Sequence, residues 1–249
     1  MSAPATMPAD PGAAPTRGAW LREVWRSSIG KKVIVAISGG ILAAYVLLHV
    51  LGNLKAFQGA DAGGAPIDSY AEFLRTVGDP VVPRSGILWA VRAILIVALV
   101  LHVVGVVQLS KRNAAARPAG NNAKRIARSF SSRTMLPGGL FLLAFIVFHI
   151  LQFTTGTINS DEYIEGAVYR NLYEAFQNPL FVAVYVGVSI VLGLHLRHGI
   201  WSTTQTAGWD KPNRNPTIRR SSNFLAVAIA VGFAAVPLAF WTGILEAPA

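Results

Sequence analysis

The sequence contains no cysteine, and only 14% of its 249 residues are charged, against 53% that are hydrophobic. The absence of cysteine excludes disulfide bonds, thiolate-bound zinc and cysteine-held iron–sulfur clusters within this chain. Because a soluble domain has about 25% charged residues, the shortage of charge predicts a membrane protein. The net charge of +10 lies in loops between apolar runs, which is typical of membrane topology and excludes a nucleic-acid partner.

Five apolar stretches are long enough to cross a bilayer as helices, which takes about 20 residues each. They are nearly free of charge and too long for strands, so the predicted fold class is all-α, an integral membrane bundle of five transmembrane helices. Pro137 is expected in the first turn of the third helix, and Pro237 inside the fifth, where it kinks the helix. The predicted helices span residues 33–54, 86–109, 135–155, 180–203 and 223–245.

The segments outside the spans differ in composition. Residues 1–19 are rich in Ala and Pro and are expected to form a disordered tail rather than a cleaved signal. Residues 20–32 have apolar residues at helical spacing beside arginines, which predicts an amphipathic segment at the membrane interface. The five-helix domain then covers residues 33–245. Two outer loops, 66–77 and 163–176, carry aromatics at helical spacing, which predicts short helices on the membrane surface.

The charges of the loops predict the orientation of the bundle. Segments 1–32, 110–133 and 203–220 carry net charges of +3, +7 and +3, whereas segments 55–84 and 157–179 carry −1 and −3. The positive-inside rule therefore places the N-terminus in the cytoplasm and the C-terminus outside. A basic inner surface of this kind favours an anionic lipid or an acidic protein partner.

All five histidines lie in apolar stretches: His49, His102, His149, His195 and His198. At about 1.5 Å per residue, His49 and His149 fall in the outer half of the bundle, and His102 and His195 in the inner half, roughly 15 Å away. Each level pair is typical of a bis-histidine haem, which needs two imidazoles on either side of one iron, with the porphyrin between helices. Proton relays and hydrogen-bonded structural histidines are the alternatives. His198 shares a helical face with His195, so depth leaves the choice between them open.

A haem also needs small residues against its faces and cations beside its propionates. Arg92, inside the second helix, is a candidate for the outer haem, and Arg133 for the inner haem. Arg197, Lys111 and Arg112 are further inner candidates, although the last two also fit simple interface anchors. Glycines in the helices allow a flat ring to approach the backbone, and they equally fit ordinary helix packing. These glycines are Gly39, Gly40, Gly52, Gly105, Gly138, Gly139, Gly193 and Gly199.

Four segments carry a resemblance to one protein family: ISGGILAAYVLLHVLGN around His49, YAEFLR at Tyr70–Arg75, FHILQF around His149, and LHLRHGIWSTTQTAG at Leu194–Gly208. Over about residues 28–245 the chain resembles the cytochrome b membrane-anchor subunit of succinate dehydrogenases and fumarate reductases. The match is to the bacterial type, in which one five-helix polypeptide holds two haems b.

The last segment distinguishes the two histidines of the fourth helix. The family has a histidine followed by a glycine four residues later, which His195 and Gly199 match and His198 does not. The resemblance therefore implies that His102 and His195 hold the haem nearer an iron–sulfur subunit. It also implies that the outer pair holds the distal haem.

The resemblance further implies a subunit of succinate:quinone oxidoreductase, complex II of the tricarboxylic acid cycle, in a bacterial plasma membrane. The expected partners on the cytoplasmic face are a flavoprotein subunit with covalent FAD and an iron–sulfur subunit. A small extra membrane subunit or a higher oligomer is also compatible with the sequence. This chain has no flavin, nucleotide or dicarboxylate motif, so its part in the enzyme is electron transfer and the quinone site.

The expected quinone is menaquinone, near the distal haem. A quinone site needs hydrogen-bond donors and an acid that exchanges protons. Glu72, in the outer loop before the second helix, is the candidate acid, with Asp68 and Tyr70 nearby. The same residue also fits a solvated loop carboxylate.

Three other functions stay compatible with the sequence. One is the cytochrome b anchor of another membrane oxidoreductase, such as a hydrogenase or a formate dehydrogenase. Another is a haem-free transporter or proton channel that uses a histidine relay. The third is a haem-free structural or assembly protein of the membrane.

Overall fold

The computed structural model describes residues 17–61, 63–116, 130–158, 163–209, 211 and 214–248. These residues form eight α-helices, and no strand occurs among them. Five of the helices are long and apolar enough to cross a membrane, which confirms the predicted all-α bundle of five transmembrane helices. The helices are α1 (Arg17–Arg26), α2 (Ser28–Asn53), α3 (Pro66–Thr76), α4 (Gly86–Ala115), α5 (Phe130–Phe153), α6 (Val168–Phe176), α7 (Pro179–Thr206) and α8 (Asn215–Trp241).

The five spanning helices, α2, α4, α5, α7 and α8, extend beyond the predicted spans at their basic ends. An apolar window stops at the first charges, but Lys and Arg are good helix formers, and their stems lie along apolar surface while their heads reach water. One sequence prediction was therefore wrong. Because α5 begins at Phe130 and not at residue 135, Pro137 lies inside the helix rather than in its first turn. Pro237 lies inside α8, as expected.

The predicted interfacial segment, residues 20–32, is divided between two helices. Its first part belongs to α1, and residues from Ser28 onward belong to α2. Ser27 separates them and caps α2, because its Oγ accepts the backbone N–H of Gly30 at 2.8 Å. Arg112, at the far end of α4, donates from Nη1 to the carbonyl of Arg26 at 2.8 Å and fixes this corner. Of the predicted tail, residues 1–16 lie outside the described part of the chain.

The first spanning helix, α2, is central to the packing. It contacts α4, α7 and α8, while α7 also packs against α5 and α8. One cluster of buried side chains joins α2, α7 and α8 around Val50, Leu196 and Ile229. Large apolar side chains of α4 and α5 remain exposed, such as Ile94 and Leu140. This pattern is expected of helices that face lipid, since a bilayer solvates apolar side chains.

The two short helices α3 and α6 lie together at the end of the bundle that is predicted to face outward. They lie within segments 66–77 and 163–176, where the spacing of aromatic residues predicted short surface helices. α6 buries Tyr169 and Phe176 against Phe240 of α8. Its Tyr169 N–H donates to Asp68 Oδ1 of α3 at 2.8 Å, and the Tyr169 hydroxyl donates to the carbonyl of Glu246 at 3.1 Å. Burial raises the pKa of this hydroxyl, so it remains a donor.

Candidate functional site

Four histidines lie in two pairs inside the bundle. His49 of α2 faces His149 of α5, with ring centroids 5.8 Å apart and ring planes at 83°. His102 of α4 faces His195 of α7, with centroids 6.3 Å apart and planes at 61°. Two imidazoles bound to one metal through bonds of about 2 Å have centroids roughly 6 Å apart. The histidines that lie together are those that the sequence analysis placed at matching depths; we call them the outer pair and the inner pair.

The helix rise gives the separation of the two pairs along the bundle. The ring of His102 lies against Gly39, where an added Cβ would be 2.9 Å from its Cε1 atom. Gly39 precedes His49 on α2 by ten residues, which corresponds to about 15 Å. The ring of His195 lies in the same way against Gly139, ten residues before His149 on α5. The two pairs are thus parallel levels of one bundle.

The inner pair borders a cavity of about 730 Å³ between α2, α4 and α7. Its walls near the histidines are small or apolar, as shown by Ala36, Gly40 and Ala43. An added Cβ at Gly40 or at Gly199 would meet no atom within 4 Å, so a flat group can approach the backbone there. No acidic side chain lines this cavity among the residues that the structure describes.

The mouth of the cavity is polar and lies at the basic ends of the helices. Lys32 at the start of α2, Asn113 at the end of α4 and Thr203 near the end of α7 line it. An apolar interior with an ammonium group at the mouth suits a planar apolar molecule that carries anionic groups along one edge. Lys32 was not among the cations that the sequence analysis considered.

A backbone carbonyl orients His102. Its Nδ1 lies 3.2 Å from the carbonyl oxygen of Val35. Because a carbonyl only accepts, Nδ1 carries the proton, and the lone pair is left on Nε2. A histidine that ligates a metal almost always donates its other ring N–H in this way.

His195 has no such acceptor within the described residues, because its Nδ1 is buried and has no hydrogen-bond partner there. A buried, unpaired ring nitrogen costs free energy in a protein interior and therefore calls for an explanation. His198 lies one turn further along α7 and does not line the cavity. The structure thus pairs His102 with His195 rather than with His198.

The outer pair is surrounded by aromatic rings. Tyr45 stacks on His49, with centroids 5.3 Å apart and planes at 16°. Phe145 packs on His149 at 5.7 Å, and Phe153 at 5.6 Å. His149 Nδ1 lies 3.1 Å from the Tyr185 hydroxyl. The hydrogen-bond partner of His149 is thus a side chain, whereas that of His102 is the backbone carbonyl of Val35.

The predicted propionate partners have different surroundings. Arg92 precedes His102 on α4 by ten residues, so the helix rise places it level with the outer pair. Its guanidinium lies over the ring of Trp89 at 4.8 Å. Arg197 donates from Nε to Asn223 Oδ1 of α8 at 2.7 Å, and neither it nor Lys111 lines the cavity. The side chain of Arg133 lies outside the described residues.

The predicted quinone acid is engaged elsewhere. Glu72 forms an ion pair with Arg84, with Oε1 and Nη2 2.7 Å apart, and both side chains are exposed. Asp68 accepts the N–H of Tyr169, and the ring of Tyr70 packs against Gly52. The structure therefore does not bring the three candidate residues of this loop together into one pocket.

Sequence reasoning missed two polar residues beside the outer pair. The Tyr185 hydroxyl donates to Gln152 Oε1 at 2.8 Å. Gln152 is 2% exposed, and its Nε2 has no partner within the described part of the chain. Gln152 follows His149 by three residues and Tyr185 precedes His195 by ten, so helical periodicity could have placed both at the level of the outer pair.

Comparisons with known proteins add no assignment. No protein-family model, curated protein or solved structure matches the chain. Among the described residues, no group of three or more His, Asp or Glu side chains converges as a metal-binding cluster. The chemistry available in the described bundle is that of two facing histidine pairs.

Proposed function

We propose that this chain is the di-haem cytochrome b anchor subunit of a succinate:quinone oxidoreductase in a bacterial plasma membrane. In this proposal the inner pair, His102 and His195, holds one haem b, and the outer pair, His49 and His149, holds a second. The observation that carries the proposal is the inner pair, whose rings face each other at 6.3 Å on a cavity of about 730 Å³.

The residues of the inner pair fit a haem in three respects. The Val35 carbonyl leaves Nε2 of His102 free to bind a metal. Gly40 and Gly199 leave room for a flat ring against the backbone. Lys32 at the cavity mouth is a cation for propionates. A proton relay is supported less well, because the described lining of the cavity contains no carboxylate.

The protein supplies position and environment, while a bound haem b supplies one-electron chemistry. The four histidines lie on four different spanning helices, so a haem held by each pair would join α2 to α5 and α4 to α7. Aromatic side chains surround the outer pair and small or apolar residues lie beside the inner pair. The burial and polarity of such surroundings are among the properties that set the redox potential of a haem. Two levels about 15 Å apart suit electron transfer across the bilayer.

Partners and substrate follow from the resemblance and from the charge of the loops. The basic segments gather at one end of the bundle, which favours docking of the iron–sulfur and flavoprotein subunits there. Iron–sulfur clusters are proposed for those subunits because this chain has no cysteine to hold them, and FAD is proposed for them because this chain has no flavin motif. Menaquinone is the proposed electron acceptor or donor near the outer pair, and Glu72 is retained as a candidate residue of its site.

A reduced-minus-oxidised optical spectrum of the purified protein tests the proposal, with haem counted by pyridine haemochrome. Two haems b per chain support both pairs as ligands. One haem per chain contradicts the proposal for one of the pairs. No haem in protein made with ample haem supply overturns the cytochrome assignment and favours the histidine-relay transporter.

The partner proposal has its own test. The chain, carrying an affinity tag, is purified in mild detergent from its native membranes, and the co-purifying subunits are examined for covalent flavin and for iron–sulfur signals. Succinate-dependent reduction of a menaquinone analogue by the complex supports the proposal. A hydrogenase or formate dehydrogenase subunit in its place overturns it.

A further inference from the structure

We propose that Tyr185 is the positioning residue of the outer pair: its hydroxyl, held by Gln152, engages Nδ1 of His149 and leaves Nε2 as the nitrogen that would hold the haem iron. This inference rests on the proposed function, because it takes His149 as a haem ligand. It adds two residues, on α7 and α5, that neither the sequence analysis nor the resemblance assigned. Three observations support it.

The first observation is the direction of the hydrogen bonds. The Tyr185 hydroxyl donates to Gln152 Oε1 at 2.8 Å. Its single proton is therefore used, and toward His149 Nδ1, 3.1 Å away, it offers only a lone pair. His149 Nδ1 thus carries the proton and donates it, which leaves the lone pair of the imidazole on Nε2. This is the tautomer that a metal ligand needs.

The second observation is that Tyr185 has little freedom to move. Its ring packs edge-on against Phe145 at 4.9 Å and against Phe176 at 5.1 Å. The ring of Phe153 also packs against it, with centroids 5.9 Å apart. Gln152 is buried as well. A hydroxyl held in this way orients the imidazole before any ligand binds, since the position is set by packing.

The third observation is that the arrangement belongs to one pair only. The inner pair uses the carbonyl of Val35, which no side-chain substitution removes. Removing the Tyr185 hydroxyl therefore changes the surroundings of His149 and leaves those of His102 intact.

The expected effect follows from ligand basicity. A histidine that donates its second N–H is a stronger electron donor to the metal, and a stronger donor favours the oxidised iron. Tyr185→Phe removes the acceptor and should therefore raise the midpoint potential of the outer haem. We expect the ratio of ferrous to ferric iron to change by up to tenfold, which corresponds to about 59 mV for a one-electron couple.

The experiment is a potentiometric titration of the purified complex, followed optically and by electron paramagnetic resonance of the ferric haems. In Tyr185→Phe we expect two haems per chain, a raised potential and altered ferric g-values for one haem, and no change for the other. Gln152→Leu should move the same haem in the same direction by less, because Tyr185 loses its fixed acceptor. Tyr45→Phe is the matched control, since the Tyr45 ring stacks on His49 and no hydrogen bond joins its hydroxyl to an imidazole among the described residues.

The outcomes separate the two proposals. If the wild-type protein holds no haem, the proposed function fails. If the wild-type protein holds two haems and Tyr185→Phe leaves both potentials and g-values unchanged, the positioning role is overturned while the proposed function stands. If Tyr185→Phe loses the outer haem altogether, Gln152→Leu decides: a shift of that haem alone supports the role, and no shift overturns it.

Discussion

The ring of His102 lies directly on the backbone of Gly39, close enough that an added Cβ would be 2.9 Å from its Cε1 atom. A bulkier residue at this position would displace the imidazole from the inner pair. The same ten-residue interval occurs in each of four spanning helices, where it joins a residue at one level to a residue at the other. The residues so related are Gly39 and His49, Gly139 and His149, Arg92 and His102, and Tyr185 and His195.

The first prediction, which rests on the proposed function, is that substitutions of the four histidines remove haem in two pairs. His102→Ala and His195→Ala should each remove the same spectral component, because each removes one of the two histidines that would hold the same haem. His49→Ala should remove the other component, as should His149→Ala. His198→Ala is the control and should keep both, since His198 does not line the cavity. The measurement is the resolved spectrum and haem count of each purified variant.

The pairing is contradicted if His102→Ala and His49→Ala remove the same component. If His198 and not His195 is the ligand, His198→Ala should lose the spectral component assigned to the inner pair. Each result is read against the helical content of the variant, measured by circular dichroism, so that a misfolded protein is recognised.

The sequence was sufficient to predict the helices and the depths of the histidines, because both depend on helix rise and on long apolar runs. It did not predict that α5 begins before residue 135, since hydropathy detects the end of the apolar run and not the end of the hydrogen-bonded helix. Nor did it predict that Tyr185 meets His149. Contacts between side chains of different helices depend on helix rotation and rotamers, which a single sequence does not specify.

Glu72 illustrates the same limit in a loop. Its residue type suits a quinone site, but its ion pair with Arg84 depends on how the chain turns after α3. An exposed pair of this kind contributes only about 0–1 kcal/mol. In a loop, residue type alone therefore identifies candidate site residues but not their positions. Along a helix, the periodicity also predicts their depth and face.

The second prediction uses glycines to ask whether the cavity of the inner pair holds a haem. Gly40→Leu adds a side chain where a Cβ meets no protein atom within 4 Å, so the substitution should leave the fold intact. It should nevertheless reduce the haem content from two to one, because the new side chain occupies the space beside His102 and His195. Gly187→Leu on α7 is the control, since its Cβ also meets no atom and the residue does not line the cavity.

The haem count of Gly40→Leu is compared with that of Gly187→Leu by pyridine haemochrome. Two haems in both variants would show that the cavity does not hold one. One haem in both would indicate a general effect of a bulky residue in the spans.

The third prediction concerns the charge at the mouth of the cavity. Lys32→Gln removes an ammonium group that lines the mouth. A nearby positive charge favours the reduced form of a haem, which carries one more electron. Loss of the Lys32 charge should therefore lower the midpoint potential of the haem proposed for the inner pair. Lys111→Gln is the control, because it removes the same charge from the same end of the bundle outside the cavity lining.

A redox titration of both lysine variants at low ionic strength measures the effect, which salt should reduce, because exposed charges are screened. Equal shifts in the two variants would mean that the inner haem senses the overall charge of this surface. In that case Lys32 would have no special position.

The fourth prediction tests how α3 and α6 close the outer end of the bundle. Asp68 Oδ1 accepts the backbone N–H of Tyr169 at 2.8 Å. Asp68→Ala leaves that N–H without its partner and should lower the free energy of unfolding by about 1–2 kcal/mol. Asp68→Asn keeps an oxygen acceptor at the same place, so it should lower the free energy of unfolding by about half as much or less. Some loss is still expected, because a neutral acceptor bonds less strongly than a carboxylate.

Thermal unfolding in detergent at neutral pH, followed by circular dichroism, compares the two Asp68 variants. Because the hydrogen bond and not the negative charge is expected to matter most, Asp68→Asn should stay close to the wild type at neutral pH. Equal destabilisation of both variants would instead assign the effect to the charge, which lies near the N-terminus of α6, where an anion is favoured by the helix dipole. The haem spectra should be unchanged in both variants, because Asp68 lies in neither histidine pair.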